Sequence, residues 1–150
     1  MTNCTDNEST VEFDQNKLKD EVEIEMGRFY EQAKVFNVDE AMSFFNNDKG
    51  IIIHLNSNFF TFDEFKNLLK SEYGKREKQD FIFEEPVIKV LSKDIVLVIT
   101  KKVNDYYLKT GEHEMRNSSE TFIWKKVNNK WMIEFYNGFI TKAAEETYRN

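Results

Sequence analysis

The chain has 150 residues, a length that suits one domain. Apolar side chains make up 40% of the residues and aromatic ones 15%, which is enough to build a core and excludes a chain that is disordered throughout. Its net charge of -6 disfavours nucleic acid and anionic lipid surfaces as partners, because both carry negative charge themselves.

Cysteine and histidine are scarce in this sequence. Cys4 is the only cysteine, which excludes an internal disulfide and disfavours a cysteine-ligated zinc site. The carboxylates show no EF-hand spacing, so we expect neither a metal nor another cofactor. No apolar run reaches the roughly 18 residues of a membrane span, and we expect a cytoplasmic protein without membrane insertion. The alternative is a lipid-anchored or exported protein, if a signal segment preceding Cys4 has been removed.

Two helices are predicted in the first third of the chain. Residues 1–16 are expected to form a flexible lead-in, followed by a single domain at residues 17–150. From residue 18 onwards apolar side chains recur at three- and four-residue steps, as on one face of an amphipathic helix. That face is formed by Leu18, Val22, Met26, Phe29, Ala33 and Phe36. Asn37 or Asp39 can then cap a second, short helix, which ends before the turn NNDKG at residues 46–50.

A short hairpin and a third helix come next. The run IIIHL, residues 51–55, is too short and too β-branched for a helix, so it predicts a strand that turns back towards Phe59 and Phe60. Thr61 and Glu64 have the spacing of a capping box, and the helix that they begin is expected to end near Gly74.

The rest of the chain is predicted to consist of strands. Short turns separate four long segments, DFIFEEPVIKVL, DIVLVITKKVNDYYL, EMRNSSETFIWKKV and KWMIEFYNGFI. Such short connections require neighbouring strands to be antiparallel. Pro86 suggests an edge strand or a bulge, and a short polar helix is expected at residues 141–148. Helices that precede strands indicate an α+β fold, with the helices packed on one face of a curved sheet.

Two stretches resemble a known superfamily. FNVDEAMSFFNND, residues 36–48, is similar to the second helix of nuclear-transport-factor-2-like domains, and SSETFIWKKVNNKWMIEFYNGF, residues 118–139, is similar to their last hairpin. The order of elements resembles SnoaL-like domains and the association domain of calcium/calmodulin-dependent kinases. This resemblance implies a cone-shaped, curved antiparallel sheet with the N-terminal helices on its concave face, a pocket between them and a homodimer through the sheet. Many relatives have histidines where this chain has Phe135 and Asn137, so histidine chemistry at those positions is not implied.

The last strand is expected to divide its side chains between two faces, since alternate residues of a strand point in opposite directions. The side facing the helices is predicted to carry Trp131, Ile133, Phe135, Asn137 and Phe139. Met132, Tyr136, Tyr106 and Phe122 are then expected on the outer face, where a second copy of the chain would cover them. Asn137 would be the one polar residue of the inner set, and it could orient a ligand carbonyl or bond to the backbone.

Four further residues are candidates for a site in the pocket. Glu120 could act as a general acid or base, or it could pair with Arg116 or a lysine. His54 lies on a strand of isoleucines and could act as a base or simply pack. Tyr30 and Tyr107 could present their hydroxyl groups to a ligand or serve in packing.

Two functions are compatible with this pattern. The first is a homodimeric domain that binds a small apolar molecule between the sheet and the helices. The alternative is a small-molecule isomerase, dehydratase or cyclase, with Glu120 or His54 as the base and Tyr30 or Asn137 as the hydrogen-bond donor.

Overall fold

The computed structural model describes residues 13–141 and confirms the predicted α+β class, with N-terminal helices beside a curved, unclosed sheet. The helices of this part of the chain are α1 (Gln15–Lys34), α2 (Val38–Met42) and α3 (Phe62–Gly74). Its strands are β1 (Ile52–Leu55), β2 (Asn58–Phe60), β3 (Arg76–Phe83), β4 (Val87–Ser92), β5 (Ile95–Leu108), β6 (His113–Val127) and β7 (Lys130–Ile140). Cys4 and the helix predicted at residues 141–148 lie outside the described residues, apart from residue 141 itself.

The helix ends follow from local side-chain chemistry. Asp14 caps α1 by accepting a hydrogen bond of 3.1 Å from the backbone N–H of Lys17. Thr61 and Glu64 form the predicted capping box of α3, with hydrogen bonds of 2.8 and 3.2 Å. These caps satisfy backbone donors that would otherwise be unpaired at the first turn of each helix. No helix in residues 13–141 has the length and apolar character that crossing a membrane would need.

The sheet runs in the order β2-β1-β7-β6-β5-β3, and β4 also pairs with β5. The predicted segment DFIFEEPVIKVL is divided: β3 pairs with the second half of β5, and β4 pairs with its first half. Pro86 therefore lies in the link between two strands rather than in an edge strand or a bulge, as the sequence had suggested. The first hairpin joins the sheet through β1, which runs parallel to β7.

Strand β7 contains a β-bulge. Trp124 of β6 pairs with Ile133, whereas the preceding residue, Ile123, pairs with Phe135. Glu134 is thus an extra residue without a partner opposite it, and it shifts the alternation of every side chain that follows.

The bulge overturns the predicted face of the second half of this strand. Tyr136 and Gly138 are buried on the face towards the helices, while Phe135 and Asn137 point outwards and Phe139 is 57% exposed. The prediction assumed unbroken alternation through the strand, which holds only as far as Ile133.

The core lies between the inner, concave face of the sheet and the first two helices. Phe122 and Trp124 are fully buried there, together with Ile133. Tyr106 and Tyr136 are also buried, so the prediction that Phe122, Tyr106 and Tyr136 lie on the outer face was wrong. The outer face instead carries half-buried or exposed apolar side chains of other residues, namely Ile52, Leu97, Ile99, Ile123, Phe135 and Phe139.

Candidate functional site

A cavity of about 120 Å³ lies between the inner face of the sheet, α1 and α3; we call it the sheet–helix cavity. Its apolar lining comes from both helices and from the strands, including Phe29, Phe65, Leu68, Leu69 and Phe81. Polar groups from β5, β6, β7 and the end of α3 interrupt this lining. A mainly apolar cavity with a few fixed polar groups is the usual form of a small-molecule site.

A buried ion pair forms the polar wall of the cavity. Lys102 of β5 donates to the carboxylate of Glu120 on β6 and, at 3.0 Å, to the hydroxyl oxygen of Ser118. Lys102 is 8% exposed and Glu120 is 4% exposed, so both charges have lost most of their hydration. Such a pair persists because each ion compensates the desolvation of the other.

Two tyrosines complete the surroundings of Glu120. The Tyr30 hydroxyl lies 3.5 Å from Oε2 of Glu120, to which it donates, and 3.3 Å from the hydroxyl oxygen of Thr100. Burial and, after it, the negative charge of Glu120 raise the pKa of both Tyr30 and Tyr136 well above the usual value for a phenol. Both phenols therefore stay protonated at neutral pH, and the Tyr30 hydroxyl remains a donor.

Gly138 makes room for the ring of Tyr136. A Cβ atom at this glycine would approach Cζ of Tyr136 and Cδ1 of Leu55 to 2.9 Å, closer than real Cβ contacts. Gly138 pairs with Glu120 in the β6–β7 register, so the missing side chain lets the phenol of Tyr136 lie beside that carboxylate.

Asn104 presents an acceptor that has no partner. Its side chain is 7% exposed and lines the sheet–helix cavity, and its Oδ1 atom is buried without a hydrogen bond. Among the residues that the structure describes, this is the one fully buried side-chain oxygen or nitrogen left unpaired. Native proteins rarely leave such groups unsatisfied, and one on a residue that lines a cavity is a candidate contact for a bound molecule.

The end of α3 contributes a tyrosine to the cavity, and the start of β3 contributes a cation. The guanidinium of Arg76 lies 5.2 Å from the ring centroid of Tyr73 and donates to the side chain of Gln79. Burial raises the pKa of Tyr73 to about 12, although the positive charge of Arg76 opposes that rise. Arg76 and Lys102 supply positive charge to the lining, and Glu72 and Glu120 supply negative charge.

The predicted site residues fall into three separate places. Tyr30 and Glu120 meet at the sheet–helix cavity. His54 and Asn137 are brought together on the outer face instead, where Nδ1 of His54 and Oδ1 of Asn137 are 2.6 Å apart. Tyr107 also lies on the outer face and stacks on a histidine with ring centroids 4.3 Å apart. The expectation that Asn137 faces the helices was therefore wrong, because the bulge turns it outwards.

Sequence reasoning did not identify Lys102, Asn104 or Tyr136 as cavity residues. For the first two a signal existed, since they continue the period-two pattern of the buried residues Val96, Val98 and Thr100 along β5. A lysine and an asparagine on the buried face of a strand need partners or a ligand.

The described residues contain no group of three or more His, Cys, Asp or Glu side chains placed to hold a metal ion. What the arrangement offers is hydrogen bonding and proton transfer. Glu120 is an acceptor in contact with two N–H or O–H donors, Lys102 and Tyr30, and Asn104 is a second, vacant acceptor. The site can thus orient a polar group of a molecule whose remaining atoms contact the aromatic and aliphatic lining.

Comparison with solved structures places the fold among nuclear-transport-factor-2-like proteins. A superfamily member from Salmonella enterica serovar Typhimurium matches with a TM-score of 0.74 at 14% identity, over 87% of this chain and 94% of that one. A candidate scytalone dehydratase from Novosphingobium aromaticivorans matches at 0.72 and 13%, over 84% and 86% of the two chains. The association domain of CaMKII from C. elegans matches at 0.67 and 12%, over 85% and 97%. At these identities the likeness shows the fold alone.

The sequence comparisons place the chain in a family. No curated protein sequence matches it significantly. The family model for the calcium/calmodulin dependent protein kinase II association domain matches residues 24–137, which is more than half of the chain. The resemblance seen in the sequence is thereby confirmed, and the chain belongs to the calcium/calmodulin dependent protein kinase II association domain family.

Proposed function

We propose that this chain forms a homodimer and binds a small, mostly apolar molecule in the sheet–helix cavity. The observation that carries the proposal is the unpartnered Oδ1 atom of Asn104, a residue that lines this cavity. An interior shaped only for stability would pair this atom or replace it by an apolar group, because an unsatisfied buried acceptor costs about 1–3 kcal/mol. The apolar lining supplies the hydrophobic contribution to binding.

We expect para-fluorotoluene at millimolar concentration to bind in the cavity of the wild-type chain and to raise its thermal midpoint. Fluorine NMR of the probe reports the binding directly. Leu68 lines the cavity, so the larger ring in Leu68→Phe should occupy part of the space and abolish the binding. Leu91→Phe is the matched control, because Leu91 lies on β4, is 50% exposed and does not line the cavity. Binding that survives in Leu68→Phe, or no binding to the wild-type chain, would reject the proposed site.

The homodimer is proposed through the outer face of the sheet. Phe139 and Ile52 lie there with 57% and 46% of their surface exposed, next to half-buried isoleucines and Phe135. An apolar face of this kind is a common site of association between copies of a chain. The match to the association-domain family, and the likeness in fold to the association domain of CaMKII from C. elegans, are in keeping with assembly of several copies.

Size-exclusion chromatography with light scattering should give about twice the chain mass of 17.9 kDa at micromolar concentration. Phe139→Glu should shift the equilibrium towards the monomer, since it places a charge on the proposed interface. Ile24→Glu is the control, because Ile24 is 63% exposed on α1, away from the sheet. A monomeric wild-type chain would refute the dimer, and an equal response of both variants would refute this interface.

The second candidate function is an isomerase, dehydratase or cyclase. It is favoured by the position of Glu120, a buried carboxylate beside the cavity and in contact with the Tyr30 hydroxyl, since one carboxylate and one donor can suffice for proton transfer. One neighbour in fold is named as a candidate dehydratase. The test is the exchange of the α-protons of para-fluorophenylacetone for deuterium in heavy water. This alternative requires a faster exchange with the wild-type chain than with Glu120→Gln, and equal exchange rates would reject it.

The residue range of the domain and the cellular compartment of the protein are also proposals. We place the single domain at residues 17–150, although α1 already begins at Gln15. The scarcity of cysteine agrees with a cytoplasmic location.

A further inference from the structure

We infer that the occupant of the sheet–helix cavity is a neutral molecule, about the size of one aromatic ring, whose hydroxyl group donates a hydrogen bond to Asn104. The inference rests on the proposed function, since it specifies the chemistry of the molecule that the cavity takes.

The size follows from the volume of the cavity. An apolar cavity of about 150 Å³ in another protein accommodates benzene. The sheet–helix cavity measures about 120 Å³ and has aromatic side chains on several sides, including Phe29, Phe65 and Tyr136. A molecule of about one ring or a short branched chain is therefore of the size that this space takes, whereas a fused polycyclic molecule exceeds it.

Neutrality follows from the charges already present. The charged side chains in the lining are Lys102, Arg76, Glu120 and Glu72, two of each sign. Lys102 and Glu120 are paired with each other, and Arg76 is held between Gln79 and the rings of Tyr73 and Tyr106. A charged ligand would therefore enter a site without net charge to compensate it, and would lose its own hydration at considerable cost.

The donor follows from the unpartnered atom. Oδ1 of Asn104 can only accept a hydrogen bond, so the group that satisfies it must carry an N–H or O–H. Lys102 stands two residues away on the same face of β5, and its ammonium would repel an amine that had become protonated. A hydroxyl satisfies Asn104 without adding charge, and its oxygen can in turn accept from a neighbouring donor.

Three fluorinated probes of similar shape separate the possibilities by fluorine NMR titration of the wild-type chain. Para-fluorophenol has a donor and an acceptor, para-fluoroanisole has an acceptor only, and para-fluorotoluene has neither. We expect the phenol to bind about three- to tenfold more tightly than the other two, which is the range that one net hydrogen bond supplies. Equal affinity of all three, or an anisole that binds as tightly as the phenol, would overturn the inference and leave the cavity as a binding site. Failure of all three to bind would overturn the proposed function.

The variant Asn104→Leu tests the contact at the residue itself. It has nearly the shape of asparagine and removes the acceptor, so the affinity for para-fluorophenol should fall to that for para-fluorotoluene. The affinity for para-fluorotoluene should stay the same or rise, and the thermal midpoint without probe should not fall, because no hydrogen bond in the protein is lost. An unchanged preference for the phenol would overturn the inference. Should Asn104→Leu not fold, Asn104→Ala gives the second test, since its smaller side chain also removes the acceptor and should abolish the preference for the phenol.

Discussion

Replacing Lys102 by methionine is expected to lower the free energy of unfolding by about 3–5 kcal/mol, the usual cost of removing one partner of a buried ion pair. The methionine fills most of the space of the lysine stem but leaves the carboxylate of Glu120 without its cation. Glu120 is 4% exposed, so water cannot replace the lost partner. The Tyr30 hydroxyl still donates to this carboxylate, but its hydrogen bond of 3.5 Å is long and the group carries no charge.

Denaturant unfolding followed by circular dichroism measures this effect, and the chain itself offers a matched control. Lys101 is the neighbouring residue, points to the outer face and is exposed, so Lys101→Met should change the stability by no more than about 0.5 kcal/mol. The double variant Lys102→Met/Glu120→Gln should recover much of the loss, because the uncompensated charge is gone. If both single variants were equally stable, the ion pair would not stabilise the fold as the structure indicates.

Local patterns account for the parts of the fold that the sequence predicts. The apolar stripe of α1 and the capping box at Thr61 and Glu64 depend on residues three or four positions apart. Both appear where the spacing places them, except that Phe36 lies beyond the end of α1. The order of helices and strands follows from the same periodicities, which is why the α+β class and the family resemblance could be predicted. The sequence did not predict that DFIFEEPVIKVL is divided into two strands that both pair with β5. That division depends on which half of β5 each strand can reach in the folded chain.

The bulge in β7 depends on a contact that is distant in sequence. The segment after α2 pairs with this strand through a single parallel bridge between Phe45 and Ile133. The N–H of Ile133 donates to the carbonyl of Phe44 at 2.7 Å, and the N–H of Asn46 donates to the carbonyl of Ile133 at 2.9 Å. The amide of Asn46 then donates to the carboxylate of Glu134 at 2.7 Å. A strand held in this way accommodates an extra residue beside the bridge, and nothing within KWMIEFYNGF reveals it.

The candidate site was predicted only in part, because some of its contacts also join residues that are distant in sequence. Tyr30 and Glu120 are at the cavity. The cation that pairs with Glu120 is Lys102, which lies on β5 two residues beyond Thr100, the residue directly opposite Glu120. The prediction placed Asn137 on the wrong face because it did not include the bulge. Tyr136 and Gly138 are the residues of this part of β7 that face the helices. Residues on β5 could have been found by following its alternation, whereas those on β7 required the tertiary contact.

Alkaline pH is expected to unfold the protein cooperatively between about pH 10 and pH 12, because several phenols are held in their neutral form. Burial is the main cause that raises the pKa of four tyrosines. The pKa of Tyr73 and that of Tyr106 rise to about 12, and those of Tyr30 and Tyr136 rise well above the usual value. In the unfolded chain all four lose their proton near pH 10.

The sign of the effect follows from the proton balance. Above about pH 10 the folded chain binds more protons than the unfolded chain. The contribution of these tyrosines to the free energy of unfolding is therefore fully present below that pH, and it is lost as the pH rises towards the pKa values of the tyrosines in the folded chain. Each tyrosine contributes a loss of about 1.4 kcal/mol per pH unit, which amounts to about 6 kcal/mol for the four at pH 11. That is comparable with the whole stability of a small domain, about 5–15 kcal/mol.

Tyrosinate absorbance and far-ultraviolet circular dichroism, measured in parallel across this range, test the prediction, since ionisation of these phenols should coincide with loss of secondary structure. Tyr136→Phe removes one of the four protons and should reduce the dependence of stability on pH by about a quarter, that is by about 1.4 kcal/mol per pH unit. Its hydroxyl is the group that lies beside Glu120 over Gly138, so the ring can stay in place when the hydroxyl is removed. A variant with the same pH dependence as the wild-type chain, or the ionisation of more than two of the six tyrosines in a chain that remains folded, would contradict the burial of these four phenols.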